Sequence, residues 1–156
     1  MHRAGDYPET DQELFQLLAR AIFQTGLGPK IVEIRWPTVL AAMDDLDPAV
    51  VAGYTDQDVC RLMVDPGMIR NRRKVETIIW AARIWTQALT WNLIPQWQES
   101  IYQLYRLHGF HAAGRSLCET FPRLLRPTAE LFLFAAGFRF RPAGDDPERA
   151  CYGGAR

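Results

Sequence analysis

Residues 46–83 read LDPAVVAGYTDQDVCRLMVDPGMIRNRRKVETIIWAAR, and the spacing of their apolar side chains decides the fold class. Pro48 opens a short helix. A second helix follows Thr55, where Thr55 and Asp58 resemble a capping box with aspartate in the usual glutamate place, and the DPG at 65–67 stops it. From Met68 a long helical pattern puts Ile69, Val75, Ile78, Ile79, Ala82 and Trp85 on one side and runs to about Leu89. Within it stand four cations in five residues, Arg70, Arg72, Arg73 and Lys74.

The same period holds on either side of this stretch. Leu14, Phe15, Leu17, Leu18, Ala21 and Ile22 mark an amphipathic helix from Asp11 that ends at Gly26 and Gly28. Ile31, Ile34, Val39 and Leu40 suggest another helix, which Trp36-Pro37 is expected to kink or interrupt. Beyond residue 90, helices are expected from Pro95 to Leu107, from His111 to about Glu119, and from Thr128 to Ala136. An abrupt FPRLLRP separates the last two. No strand-like alternation competes, so the fold class is all-α, and 156 residues with 48% apolar side chains suit a single helical domain over 1–156. Residues 1–10 and 142–156 read as irregular tails.

Composition excludes some classes. No apolar run approaches the length of a membrane span and the N-terminus lacks a signal-peptide pattern, so a soluble cytoplasmic monomer is expected. Cys60, Cys118 and Cys151, odd in number and far apart, point to free and mostly buried thiols in a reducing compartment. The chain has no net charge, yet residues 1–65 hold 5 basic against 11 acidic side chains and residues 66–141 hold 11 against 4. A neutral molecule so divided can present a basic face to a polyanion.

Two readings of the cation cluster follow. Arg70 or Arg72 could pair with an upstream aspartate (Asp44, Asp45, Asp47 or Asp65) while the rest are solvated. Alternatively, a helix start with free amides and added cations grips a phosphate. A second basic set, Arg106, His108, His111, Arg115, Arg123 and Arg126, surrounds FPRLLRPT. Two helices joined by a tight turn with flanking arginines can offer amides to a DNA phosphate, the logic of a helix-hairpin-helix. Phe121, Leu124 and Leu125 could equally form a core-facing loop. Of the five tryptophans, Trp80 and Trp85 are expected in the core.

DQELFQLLARAIFQTGL at 11–27 and the 46–83 stretch resemble the bacterial DNA-3-methyladenine glycosylase I family, with weaker echoes in PTAELFLFAAG at 127–137 and DDPERAC at 145–151. The resemblance implies a helix-hairpin-helix glycosylase-like fold, double-stranded DNA as partner, and hydrolysis of an alkylated, 3-methyladenine-like base after it is flipped from the duplex. Arg70, Asn71, Arg72 and Lys74 match a family signature. Arg70, Arg72, Arg73, Lys74, Arg123, Arg126 and Thr128 are the DNA-binding candidates, and Gln24, Trp36 and Tyr7 are the base-pocket candidates.

Departures from the family pattern are specific. Gln24 matches the glutamine of its Q-A-G-L, which places Ala21 where the base-reading glutamate belongs. No catalytic residue is therefore assigned. A lost charge-assisted hydrogen bond of about 1.5–3 kcal/mol would slow reaction roughly ten- to a hundredfold. A catalytically degenerate DNA-binding module on the same scaffold is the alternative. Pro29 replaces a pocket tryptophan. Cys151 matches the last ligand of the family's zinc site, but Pro147 stands where its histidine belongs and His2 alone is insufficient, so neither metal nor other cofactor is expected. Glu33, Glu76 and Glu130 are substitute acids. Lys74 among arginines reads as a plain cation, which favours a monofunctional hydrolase.

Overall fold

The computed structural model describes residues 10–90 and 94–138; the side chains of residues 89–98 are outside that description. The described residues form eight α-helices and no strand: α1 (Asp11–Gln24), α2 (Pro29–Ala42), α3 (Pro48–Ala52), α4 (Asp56–Val64), α5 (Arg72–Thr90), α6 (Ile94–His108), α7 (Phe110–Thr120) and α8 (Arg126–Ala135), with a short 3-10 turn at Asp44–Leu46. The all-α expectation holds, as do the ends of α1 and α4.

α1 starts at a true capping box, in which Thr10 Oγ1 accepts from the Glu13 amide and the Glu13 carboxylate accepts from the Thr10 amide. It is the axial helix. Phe15, Leu18 and Phe23 have no exposure, each burial contributing about 1.5–3 kcal/mol, and the helix packs against α2, α5 and α8. Trp85 of α5 fills the centre of the core, edge-on to Phe15 with centroids 5.6 Å apart and stacked on Phe121 at 6.3 Å. Trp80, expected beside it in the core, is only half-buried.

Three local outcomes differ from the sequence reading. α2 runs on through Pro37 rather than breaking there. Pro37 removes the amide that would serve the Glu33 carbonyl, but both residues lie on the exposed side, where water can serve that carbonyl instead. α5 begins at Arg72, four residues later than Met68. Asn71 decides this by accepting the Lys74 amide on its side-chain oxygen at 3.1 Å, as an N-cap does, while Asp65 Oδ1 accepts the Gly67 amide at 2.7 Å and holds the preceding turn. Met68 and Ile69 are buried from that turn, not from a helix.

Asp44, Asp45 and Leu46 all take positive φ, at 51°, 55° and 54°. Such a conformation is costly for residues other than glycine and needs outside support. Gln12 and Gln16 of α1 both donate to the Asp45 carbonyl, at 3.1 and 2.8 Å, and Tyr54 donates its hydroxyl to Asp44 Oδ2. Burial, then that carboxylate, raises the Tyr54 phenol well above its ordinary range.

Candidate functional site

α1 ends beside the start of α5 and the turn between α7 and α8, and a cavity of about 210 Å³ opens where the three meet. Ile22 of α1 and Thr25, its C-cap, form one wall. Asn71, Arg73, Lys74 and Thr77 form the second, and Arg123, Leu124, Leu125 and Thr128 the third. Thr25 and Thr128 share a hydrogen bond of 2.7 Å between their hydroxyls, tying α1 to α8, and Thr25 Oγ1 also lies 3.0 Å from the Ala21 carbonyl.

Lys74 is not a plain surface cation. Its ammonium donates to the carbonyl of Phe23 at 2.9 Å and to that of Thr25. These carbonyls lie at the end of α1, where helical partners run out and the helix dipole favours a positive charge. Burial alone holds the Lys74 amine below the ordinary lysine range.

The remaining cations divide. Arg72 turns away to Glu76, 2.8 Å distant on the next turn, rather than to any upstream aspartate. Arg70 lies 3.5 Å from the Asp65 carbonyl, so of the two readings of the cluster the pairing with an Asp44, Asp45, Asp47 or Asp65 side chain is not the one the described residues show. Arg126 reaches Glu130 at 3.1 Å, and His111 meets the same oxygen at 2.7 Å. Arg73 and Arg123 have no acidic partner among the described residues. Arg123 instead spreads over the Trp80 ring, 5.5 Å from its centroid, which leaves guanidinium N–H groups at its edge for a ligand.

Thus Arg73, Lys74, Arg123 and Thr128 come together around one cavity, and Arg70, Arg72 and Arg126 do not line it. Nor do Gln24, half-buried at the end of α1, or Trp36, which lies under the Arg20 guanidinium at 5.6 Å. Tyr7 lies outside the described residues. No aromatic ring and no carboxylate lines the cavity among the described residues. Thr25, Asn71 and Thr77 were missed by sequence reasoning. The T of QTGL and the N of RNR stood inside the quoted motifs, but only their placement shows that they share a wall.

A second, shallower hollow of about 420 Å³ lies between Leu27, Ile31, Arg35 and the 66–70 turn. Its walls are mostly apolar, Arg35 and Arg70 being the charged members, and Arg35 already donates to the Pro66 carbonyl at 3.1 Å, so it offers less chemistry than the smaller site. The α1–α2 connection beside it needs glycine at Gly26 and Gly28, with φ of 83° and 85°.

The substitute acids are committed elsewhere: Glu33 is exposed on α2, Glu76 serves Arg72, and Glu130 serves His111 and Arg126. Burial pushes the Glu130 carboxyl up, but its hydrogen bonds to His111 and Arg126 prevail, and it ionises below the usual 4.5. An acid depressed in this way stabilises the fold above its unfolded pKa, and that contribution is lost as pH falls through the folded value. Urea titrations from pH 7 to pH 3 should therefore show stability falling below about 4.5, with a shallower fall for Glu130→Gln. Identical pH slopes for the two proteins would contradict it.

Cys60 is exposed, against the expectation of buried thiols, while Cys118 is half-buried and its thiol is raised by that burial. His2, Pro147 and Cys151 lie outside the described residues. Among the described residues no group of three or more His, Cys, Asp or Glu could hold a metal ion, and no helix is long and apolar enough to cross a membrane.

Comparison with known proteins places this geometry. The methyladenine glycosylase family profile matches residues 5–103. DNA-3-methyladenine glycosylase 1 of Escherichia coli (strain K12) is 30% identical over 149 residues, covering 73% of this chain and 76% of that protein. The structure of 3-methyladenine DNA glycosylase I from Staphylococcus aureus superposes with a TM-score of 0.72 at 23% identity, over 92% of this chain and 85% of the other, a likeness of fold. A solution structure of a 3-methyladenine DNA glycosylase I gives 0.69 at 25% identity, over 85% and 80%. With its helical architecture and more than half its length accounted for by the family profile, the chain belongs to the methyladenine glycosylase family.

Proposed function

We propose that this protein is a monofunctional DNA glycosylase that acts as a cytoplasmic monomer on double-stranded DNA, flips an alkylated base into the cavity between α1, α5 and α8, and hydrolyses its glycosidic bond. One observation carries the reading: in a member of this family, two arginines without acidic partners among the described residues stand on the walls of a cavity of about 210 Å³. That volume lies below the roughly 300 Å³ of the smallest drug-sized sites, and suits one base while its sugar and phosphates stay outside.

Arg73 and Arg123 hold the backbone on either side of the flipped nucleotide by charge. The 121–125 turn between α7 and α8 serves as the DNA-facing hairpin, where Leu125 is exposed and the Leu124 amide is already donated to the Phe121 carbonyl at 2.8 Å. Water adds to the sugar C1′ as the bond to the base nitrogen breaks; the electron pair departs with the base, and the water proton is released.

The test is incubation of the purified protein, in molar excess, with duplexes carrying single alkylated bases, followed by chromatography of released bases. Release of a base from at least one lesion is expected. A protein that binds duplex DNA in a salt-sensitive manner yet frees nothing would instead be the noncatalytic module on this scaffold.

A further inference from the structure

We infer that Lys74 is a positioning residue for base release, one that caps the end of α1 from another helix and so fixes the wall of the cavity formed by Ile22 and Thr25. This rests on the base-release reading and assigns one more residue within it, whatever the alkylated base.

Hydrogen-bond accounting at the end of α1 is the first support. The last carbonyls of an α-helix have no partner inside it and must find one elsewhere. The Leu27 and Gly28 amides both donate to the Gln24 carbonyl, at 3.1 and 3.0 Å, and the Thr25 amide and hydroxyl both donate to that of Ala21. The Phe23 and Thr25 carbonyls accept from the Lys74 ammonium, 51 and 49 positions away in sequence. α1 carries no basic residue in its own last turn, so the cation that its dipole favours there comes from α5.

The place of Lys74 on its own helix is the second support. It lies in the first turn of α5, which holds Arg72, Arg73 and Lys74 and no acid. The dipole of α5 disfavours a cation there. Arg72 offsets this through Glu76, whereas Lys74, half-buried, offsets it at the negative pole of α1.

The links that meet at Thr25 are the third support. Thr25 is joined to α5 through its carbonyl and to Thr128 of α8 through its hydroxyl, at 2.7 Å. Thr25, Lys74 and Thr128 all line the cavity. The chain then leaves through Gly26, where an added Cβ would meet no atom within 4 Å, so these links rather than packing at Gly26 set where Thr25 stands. A reacting group misplaced by about 1 Å can lose roughly a hundredfold in rate, which gives such a link leverage on base release without contact with the base.

The test compares Lys74→Met and Lys74→Arg with the unaltered full-length protein. Base release is followed in single turnover, at saturating protein, on duplex DNA treated with a methylating agent. Affinity is measured separately on a duplex with one tetrahydrofuran abasic analogue, at several salt concentrations. Lys74→Met should release bases on the order of tenfold more slowly. Its affinity and salt slope should not change, because the Lys74 protons are directed at α1 and not at a phosphate. Lys74→Arg, which keeps the charge and the donors, should recover most of the rate. Hydrogen exchange at the Leu27 and Gly28 amides should quicken in Lys74→Met and slow again in Lys74→Arg. Lys74→Gln keeps a donor without the charge and serves if the methionine variant does not fold; its rate should lie between the other two.

Release by Lys74→Met at the unaltered rate would overturn the inference, as would unchanged exchange at both amides or an arginine variant as slow as the methionine one. So would a salt slope shallower by about 0.9, which would make Lys74 a phosphate contact. If the unaltered protein frees no base from any duplex, the glycosylase reading fails and the positioning role with it, while the cap on α1 is still read from the exchange.

Discussion

Replacing Arg73 and Arg123 together by alanine is expected to weaken duplex binding about a hundredfold at 0.1 M salt, and to make the log–log salt dependence shallower by about two. The magnitude follows from counterion release, in which each phosphate contact contributes a slope of about 0.9 and hence close to a decade of affinity at this salt concentration. Neither side chain has an acid to satisfy among the described residues, so removing them leaves no buried carboxylate behind. Arg123 does cover Trp80, and its loss exposes part of that ring. A melting curve taken beside the binding isotherm separates this small effect on stability from the effect on DNA. If affinity and salt slope both stay at their original values, the DNA does not pass over this cavity.

Trp85→Ala should give the largest loss of stability of any single truncation in the core. The ring has no exposure and lies between Phe15 of α1 and Phe121 just after α7, residues distant in sequence. Removing a buried tryptophan costs about 3–5 kcal/mol, from lost transfer energy and from the cavity left behind. A domain's whole stability is about 5–15 kcal/mol, so the variant retains little margin, and its Tm should fall by roughly ten degrees. Urea denaturation gives the number directly. A loss below about 1 kcal/mol would show that the surrounding helices collapse onto the space instead of being held apart by the ring.

How much of this was legible beforehand depends on whether an element is governed by its neighbours in sequence. Thr55 and Asp58 lie three residues apart and cap α4 as their spacing implies, with Asp58 accepting the Thr55 amide at 2.9 Å. The apolar period of α1 likewise matched a helix buried nearly all round. α5 was misjudged at its start because Met68 and Ile69 fall in register with the helix behind them, though the Asn71 cap decides where it begins. That error matters for the site. Moving the helix start to Arg72 sets the directions of all four cations: Arg72 faces Glu76 on the next turn, Lys74 faces the end of α1, and Arg73 is left for the cavity.

Long-range features gave no local sign. Three successive left-handed residues at Asp44–Leu46 contain no glycine, and their support comes from glutamines of α1 some thirty residues earlier and from Tyr54. Trp36, a base-pocket candidate, lies on α2 under the Arg20 guanidinium, a contact with no sign in the local sequence. Thr25 and Thr128 could not be joined from the sequence, being 103 positions apart.

That last pairing bears on biosynthesis. A ribosome delivers the residues of α1 early and those of α8 near the end of the described chain, and contacts between such distant segments are the slow ones to form. Until α8 docks, the partner of the Thr25 hydroxyl is missing and one side of the hollow stands open. A nascent chain that has folded only its first five helices therefore lacks the third wall of the cavity, and the proposed site is completed only once α8 has been made.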